Sequence, residues 1–301
     1  MNPRRHILIF HQAALGDFIM TWPLAMALGR VFAQSRVMYV TGPDKGRLAE
    51  AVVGVEWLGV DNGWHTLFGP GDVPDEPVGR VLRATQCVVL FAAGDASAVV
   101  ERVRQLTGDI PILPVSPNPP AGVHVLTHQL TQLQGHGRLG GYVEQMQTLM
   151  RTSGLGGRAA AAGKDIVIHP GSGSAGKNWP LTSFIELASA LRSAGRTVQF
   201  VIGEVERERM TPADVAAMRA VAPVAEPADL PALRAVLQNA SAFIGNDSGP
   251  THLAAVLGLR TVALFGPNSN AEQWSPVGPR VSVLPFSASP PEVVKVLSRE
   301  P

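Results

Sequence analysis

The chain has 301 residues, 46% hydrophobic and 16% charged, with a formal net charge of +1. That length holds two domains of ordinary size around large cores, and the near-zero charge gives no global field aimed at nucleic acid or an anionic membrane. A single cysteine, Cys87, excludes a disulfide framework and a Cys-based zinc site, so cytosolic residence is the simple expectation.

Arg4 and Arg5 precede an apolar stretch, but His6, His11, Gln12 and Asp17 interrupt it and no small-residue cleavage site follows. No secretory leader is expected, and no window reaches the length of a spanning helix. Any meeting with a membrane is expected from its surface.

In chain order, residues 6–10 read as a buried strand and 18–32 as a helix with Pro23 in its early part. Residues 36–40 read as a second strand. Residues 61–81 are rich in Gly, Pro and Asp without a period and read as loop. Residues 87–92 and 110–115 read as strands, 114–122 as a Pro-rich stretch and 141–150 as a helix. The Gly/Ala-rich residues 153–164 are a linker candidate, dividing the chain into domains at 1–155 and 156–301.

Beyond it the alternation is cleaner. Strands are expected at 165–169, 197–202, 242–245 and 261–265. Helices are expected at 181–194, 205–221, 230–239, 251–257 and 291–297. Alternating strands and helices imply parallel sheets covered on both faces, hence an α/β chain of two Rossmann-like doubly wound lobes with a cleft between them. Ligands of open α/β sheets bind beyond the carboxyl ends of the strands.

Three segments carry candidate chemistry at such ends. Gln12-Ala13-Ala14-Leu15-Gly16-Asp17 follows the first strand and opens the first helix. Asp17 there either caps the helix or projects as a general base. His169-Pro170-Gly171-Ser172-Gly173-Ser174-Ala175-Gly176-Lys177-Asn178-Trp179-Pro180 is a Gly/Ser-rich loop with one Lys. It is either a surface loop or a wrap for a pyrophosphate. It is not a Walker A loop, because Asn-Trp-Pro follows Lys177. Asn246-Asp247-Ser248-Gly249-Pro250-Thr251-His252 runs from an apolar strand into a helix. It reads as a capped turn or as an anion site made by first-turn N–H groups and the helix dipole.

Other signals are missing. Asp-x-Asp and Gly-x-Ser-x-Gly are absent. His124 and His128 have i,i+4 spacing but no acidic or Cys partner nearby, so no metal site is expected there. Cys87 and His136 read as structural.

Together, the Leu-Gly-Asp loop, the Pro-Gly-Ser…Lys-x-Trp-Pro loop and Gly-Asn-Asp-Ser-Gly-Pro-x-His followed by Val262-Ala263-Leu264-Phe265-Gly266-Pro267 resemble glycosyltransferase family 9, the ADP-heptose:lipopolysaccharide heptosyltransferases. The resemblance spans residues 165–279 nearly end to end and about the first thirty residues of the first lobe. It implies a GT-B fold with an acceptor-binding N-terminal domain and a nucleotide-sugar-binding C-terminal domain. It implies an inverting, metal-independent transfer, with no cofactor beyond the nucleoside-diphosphate sugar, ADP-linked by resemblance. Asp17 would be the base on the acceptor hydroxyl. Ser172, Gly173 and Lys177 would hold the diphosphate, Lys177 also stabilising the leaving group. Asp247, Ser248, Gly249 and His252 would complete the nucleotide site, and Glu206, with Glu204 as runner-up, would meet the ribose.

The implied acceptor is a glycolipid or oligosaccharide of the lipopolysaccharide-core type, met at the cytoplasmic face of a membrane. The loop before Asp17 departs from the family in carrying Gln-Ala-Ala, where a basic residue and a glycine are common. Arg4, Arg5, Arg36, Lys45 and Arg47 are candidates for gripping an acidic acceptor, with solvated surface as their default reading. The rival readings are an epimerase or hydrolase on the same scaffold, and a catalytically silent nucleotide-sugar-binding member.

Overall fold

The structure, a computed structural model, describes residues 6–67, 78–156 and 165–298. The chain divides into two compact units, Met1–Gln147 and Thr148–Pro301.

The first unit runs β1 (His6–Phe10), α1 (Leu15–Met20), α2 (Trp22–Val31), β2 (Arg36–Thr41), α3 (Pro43–Val53) and β3 (Glu56–Gly59). A 3-10 turn (Trp64–Leu67), α4 (Val78–Arg83), β4 (Thr85–Phe91), α5 (Ser97–Thr107), β5 (Ile112–Val115) and α6 (Val125–Leu133) follow. The last helix, α7 (Arg138–Thr152), contains the division between the units. All strand pairings are parallel, in the order β3-β2-β1-β4-β5. Ile7, Leu8 and Ile9 are fully buried, as a central parallel strand covered on both faces requires. Leu8, Phe10, Met38, Val40, Val88 and Leu90 form the centre of one core. The chain leaves β1 towards β2 on one side, while β4 pairs on the other. The loop carrying Asp17 therefore emerges at the topological switch point.

The helix expected at 18–32 is two helices. Pro23 lacks an N–H and its ring excludes a carbonyl four residues back, so the chain restarts at Thr21 with Pro23 in the first turn of α2. The Thr21 hydroxyl closes the break by donating to the Phe18 carbonyl at 2.7 Å, and it lies 2.7 Å from the Tyr39 hydroxyl. The loop expected at 61–81 contains the 3-10 turn and the start of α4, with 68–77 outside the described residues. Cys87 is buried in β4, and burial pushes its thiol up to about 11. His124 is the N-cap of α6, its Nδ1 accepting from the Leu126 amide at 3.2 Å.

The second unit runs β6 (Asp165–His169), a 3-10 turn (Ala175–Lys177), α8 (Leu181–Ser193), β7 (Thr197–Val201), α9 (Glu204–Arg209), α10 (Pro212–Val221) and β8 (Val224–Ala225). It continues through α11 (Leu230–Gln238), β9 (Ala240–Asn246), α12 (Gly249–Val256), β10 (Arg260–Phe265), α13 (Ala271–Trp274), β11 (Val281–Pro285) and α14 (Pro290–Ser298). Its parallel sheet is ordered β11-β10-β9-β6-β7-β8, the same winding as the first, with the switch point between β6 and β9. Ile166, Ile168, Phe184, Leu187, Phe200 and Ile244 lie at the centre of its core. The single helix expected at 205–221 breaks at Pro212, which opens α10 behind a Thr211 cap.

The stretch after α7 is seated on the far end of α12. The Leu155 amide donates to the Val256 carbonyl at 2.6 Å. A side chain at Gly156 would strike Leu257, and one at Gly154 would come within 3.0 Å of Gly258. Of the linker expected at 153–164, residues 157–164 lie outside the described residues.

His11 ends β1 in an aromatic cage, with ring centroids 5.5 Å from Phe18 and 5.3 Å from Phe91. Burial, reinforced by the charge of Lys45, lowers its pKa to about 3. The unfolded imidazole titrates near 6.5, so between these values the unfolded chain holds the extra proton. Stability from this group therefore falls as pH drops from about 6.5 towards 3, by up to about 1.4 kcal/mol per unit. Denaturant unfolding at pH 7 and pH 5 is expected to differ less in His11→Leu than in the wild type. Equal pH dependence in the two proteins would contradict a neutral buried His11.

Candidate functional site

At the switch point of the second sheet, the loops after β6 and β9 are joined by one side chain. Asn246, fully buried at the end of β9, accepts from the Trp179 amide at 2.9 Å through Oδ1. Its Nδ2 donates to the carbonyls of Pro170 at 2.8 Å and Gly171 at 3.2 Å. The loop from 170 to 179 is thus closed at both ends by one carboxamide. Trp179 is buried against Phe184, and its indole donates to the Phe286 carbonyl at 3.0 Å.

Inside that closure, the Ser172 hydroxyl donates to the Ser174 carbonyl at 2.6 Å and accepts from the Ser174 amide at 3.3 Å. Ser172 is buried and shapes the loop, whereas a side chain at Gly173 would meet open space. Lys177, in the 3-10 turn, donates to Asp247 Oδ2 at 2.8 Å. The Asp247 side chain is 8% exposed and that of Lys177 36%. The carboxylate therefore sets where the ammonium stands, and one of three N–H donors is engaged. On its other side, Asp247 Oδ1 lies 4.0 Å from Nε2 of the buried His252. Lys177, Asp247 and His252 form a row along the edge.

Ser248 caps α12. The amides of Thr251 and His252 both return to the Ser248 carbonyl, and Pro250 has no N–H. Of the first-turn amides, that leaves Gly249 as the donor for an anion, fewer than the sequence pattern alone implied. The Thr251 hydroxyl donates to the Asn246 carbonyl at 2.5 Å and sits 3.0 Å from Ser248 Oγ. Gly245 is required there, because a side chain would strike Phe243 and the Thr251 hydroxyl.

Glu206 lies behind the loop, 5% exposed. Its Oε2 accepts from the Gly203 amide at 2.8 Å and stands 3.4 Å from His169 Nε2. Burial pushes the Glu206 carboxyl up, but the hydrogen bond and charge of His169, with the Gly203 amide and its own, outweigh this and hold it below the ordinary range. Gly171 packs against this carboxylate, leaving no room for a side chain. Glu206 faces inward as a brace, and Glu204 is exposed at the start of α9.

The sequence did not point to Arg209, whose guanidinium donates to the Gly173 carbonyl at 3.1 Å, or to Asn268, which donates to the Gly176 carbonyl at 3.1 Å. Both reach the loop from other elements. Among the described residues, no group of three His, Cys, Asp or Glu side chains is arranged to hold a metal ion.

In the first unit, Asp17 is partly buried in the first turn of α1, whose N-cap is Ala14. It is not the capping residue, and a carboxylate in the first turn is favoured by the helix dipole whether or not it has a further role. Arg36 is paired with Glu56 and Arg47 with Asp44. Lys45 turns onto the Asp17 loop. Arg4 and Arg5 lie outside the described residues.

The model of glycosyltransferase family 9 (heptosyltransferase) matches residues 125–298, more than half of the chain. The chain belongs to this family. The family 9 match takes in the row Lys177–Asp247–His252 and the Asn246 brace. The chain is also similar in structure to a family 9 glycosyltransferase from Veillonella parvula, with a TM-score of 0.72 at 20% identity over 98% of this chain and 96% of that one. The Escherichia coli ADP-heptose lipopolysaccharide heptosyltransferase II gives 0.68 at 18% identity over 97% of each chain. E. coli heptosyltransferase WaaC with ADP gives 0.65 at 15% identity over 97% and 98%. No curated protein matches the sequence. The family 9 chain is therefore a glycosyltransferase of GT-B fold.

The brace predicts a large local cost. Asn246→Ala would strand the buried Trp179 amide and release two carbonyls, costing about 2–4 kcal/mol. Asn239→Ala removes an exposed bond to Ala235 and should cost under about 0.5 kcal/mol. Denaturant unfolding of the two variants checks this, and equal effects would contradict it.

Proposed function

We propose that this chain is an inverting transferase moving a heptose-type sugar from a nucleoside diphosphate, ADP by family resemblance, to a hydroxyl of a lipopolysaccharide-core or related glycan. The observation that carries the reading is the convergence of Lys177 and the α12 N-terminus at the switch point, around a loop of small residues. A diphosphate needs positive charge and N–H donors without bulk, and these elements supply both. E. coli heptosyltransferase WaaC, similar in fold, is known with ADP.

In this reading the diphosphate lies along Gly173, with Lys177 and the Gly249 amide on its oxygens. Ser172 shapes the loop, while Ser248 and His252 complete the nucleotide side. Asp247 keeps the Lys177 ammonium in register. Glu206 supports the ribose side, its carboxylate anchored by Gly203 and His169.

A sugar hydroxyl is a weak nucleophile, so a carboxylate that removes its proton as the bond forms lowers the barrier. Asp17 takes that proton. The anomeric carbon–oxygen bond to the diphosphate breaks as the acceptor oxygen attacks from the opposite face, inverting the centre. Charge developing on the leaving diphosphate is stabilised by Lys177 and by the helix N-terminus. The acceptor is held by the first unit. Among the described residues, no helix is long and apolar enough to cross a membrane, and we propose that a membrane-bound acceptor is met from the cytoplasmic surface.

Calorimetric titration with ADP, UDP and GDP, with chelator and then with divalent cations, tests the donor assignment. Selective ADP binding in chelator, weakened about tenfold or more in Lys177→Ala, is expected. Binding that prefers UDP or GDP, needs a metal or ignores the substitution would overturn it. Asp17→Asn should leave ADP affinity unchanged and lower transfer by at least about a hundredfold. Retained transfer would remove Asp17 as the base.

A further inference from the structure

Gln12, Ala13 and Ala14 lead from β1 into the first turn of α1, which carries Asp17. Ala13 and Ala14 carry no polar side chain, and α1 has no side-chain cap. Two side chains hold the loop from outside. Gln12 Nε2 donates to the Val40 carbonyl at the end of β2, at 3.0 Å. Lys45, from the first turn of α3, reaches back across 32 residues and donates to the Ala13 carbonyl at 2.7 Å, with the Gln12 carbonyl at 3.5 Å. Its ammonium also stands 6.0 Å from the centre of the Phe18 ring, directly after Asp17. One half-buried ammonium thus touches the backbone before Asp17 and the ring after it.

We propose that Lys45 is the positioning residue of the Asp17 base: it clamps the loop through the Ala13 carbonyl and sets its ammonium over the Phe18 ring that follows the carboxylate. This rests on the reading of Asp17 as the base.

The charges around Lys45 fit the assignment. Burial lowers the Lys45 pKa, and Asp17 is the charge that raises it again. The interaction is reciprocal, so the same ammonium favours the ionised form of Asp17. His11, at the end of β1, faces the same ammonium, and its charge adds to burial in keeping that imidazole neutral. On α3 itself, Asp44 is engaged by Arg47. Of the neighbouring strands, β3 contributes Glu56, paired with Arg36, and β2 contributes Tyr39, whose hydroxyl meets Thr21. A carboxylate that shares its ammonium with a neutral ring meets no second cation from that ring when its substrate arrives.

The test reads the carboxylate directly. The side-chain carboxyl carbon of Asp17 in the full chain, assigned by its loss in Asp17→Asn, is titrated by 13C NMR in the wild type, Lys45→Met and Lys45→Arg. Lys45→Met should raise the Asp17 pKa by about 0.5–1 unit, and Lys45→Arg should bring it back to the wild-type value. The amide resonances of Ala13 and Ala14 should shift in Lys45→Met while those of the second unit stay in place. An Asp17 pKa unmoved in folded Lys45→Met overturns the proposal, as does a Lys45→Arg protein that behaves like Lys45→Met. Should Lys45→Met fail to fold, Lys45→Gln, which keeps a donor for Ala13 but no charge, takes its place with the same expected shift. The titration needs no acceptor: failure of the base reading appears only as transfer retained by Asp17→Asn, whereas failure of the Lys45 proposal appears only in the titration.

Discussion

Everything at the edge of the second sheet hangs on one buried carboxamide. Asn246 comes from β9, yet its partners come from the loop after β6, 67 to 76 residues earlier in the chain. Two adjacent parallel strands bring them together because the sheet reverses its winding there. With the loop pinned at Pro170, Gly171 and Trp179, the residues between can be small and still ordered. Lys177 then has one place to stand. An aspartate in this position would lose the donor for the two carbonyls, and a leucine would satisfy none of the three groups.

The charges around this pinned loop are arranged in two tiers. The deeper pair, His169 and Glu206, is sealed behind Gly171 and stiffens the floor. The shallower pair, Lys177 and Asp247, is open on the lysine side. A ligand that arrives with negative charge meets an ammonium already oriented by a carboxylate, so little side-chain freedom remains to be lost on binding. Ser248, next to Asp247 in the chain, touches the deeper tier, its hydroxyl 3.4 Å from His169 and 3.0 Å from Thr251.

The central strands were legible because their signal is local: β1 and β6 are short apolar runs ending in turn chemistry, and their bounds are those read from the sequence. The edges were not. β3 is four half-buried residues and β8 only two, while β11 alternates on an exposed flank. Their pairing comes from neighbours, not from composition. α3 was missed because it opens Pro-Asp-Lys-Gly, and its Gly46 is there to admit the Trp57 ring. Proline broke two helices that hydrophobic period alone ran together. In the site, the lysine and the acidic loop announced themselves through small-residue composition. Arg209, and the roles of Asn246 and Glu206 as braces and of Lys45 as a tie on the Asp17 loop, did not, because each acts on a segment far away in sequence and only the fold brings the two together. The inward turn of Glu206 follows from a glycine, Gly171, whose missing side chain makes the space.

The seating of Leu155 on Val256 gives α12 a second task. Its N-terminus opens the loop with Asp247 and Ser248, and its C-terminus is gripped by the three residues that leave α7. A helix of eight residues is about 12 Å long and stiff along its axis. The Gly154–Gly156 clasp and the Asp247 loop therefore sit at opposite ends of one short rigid element.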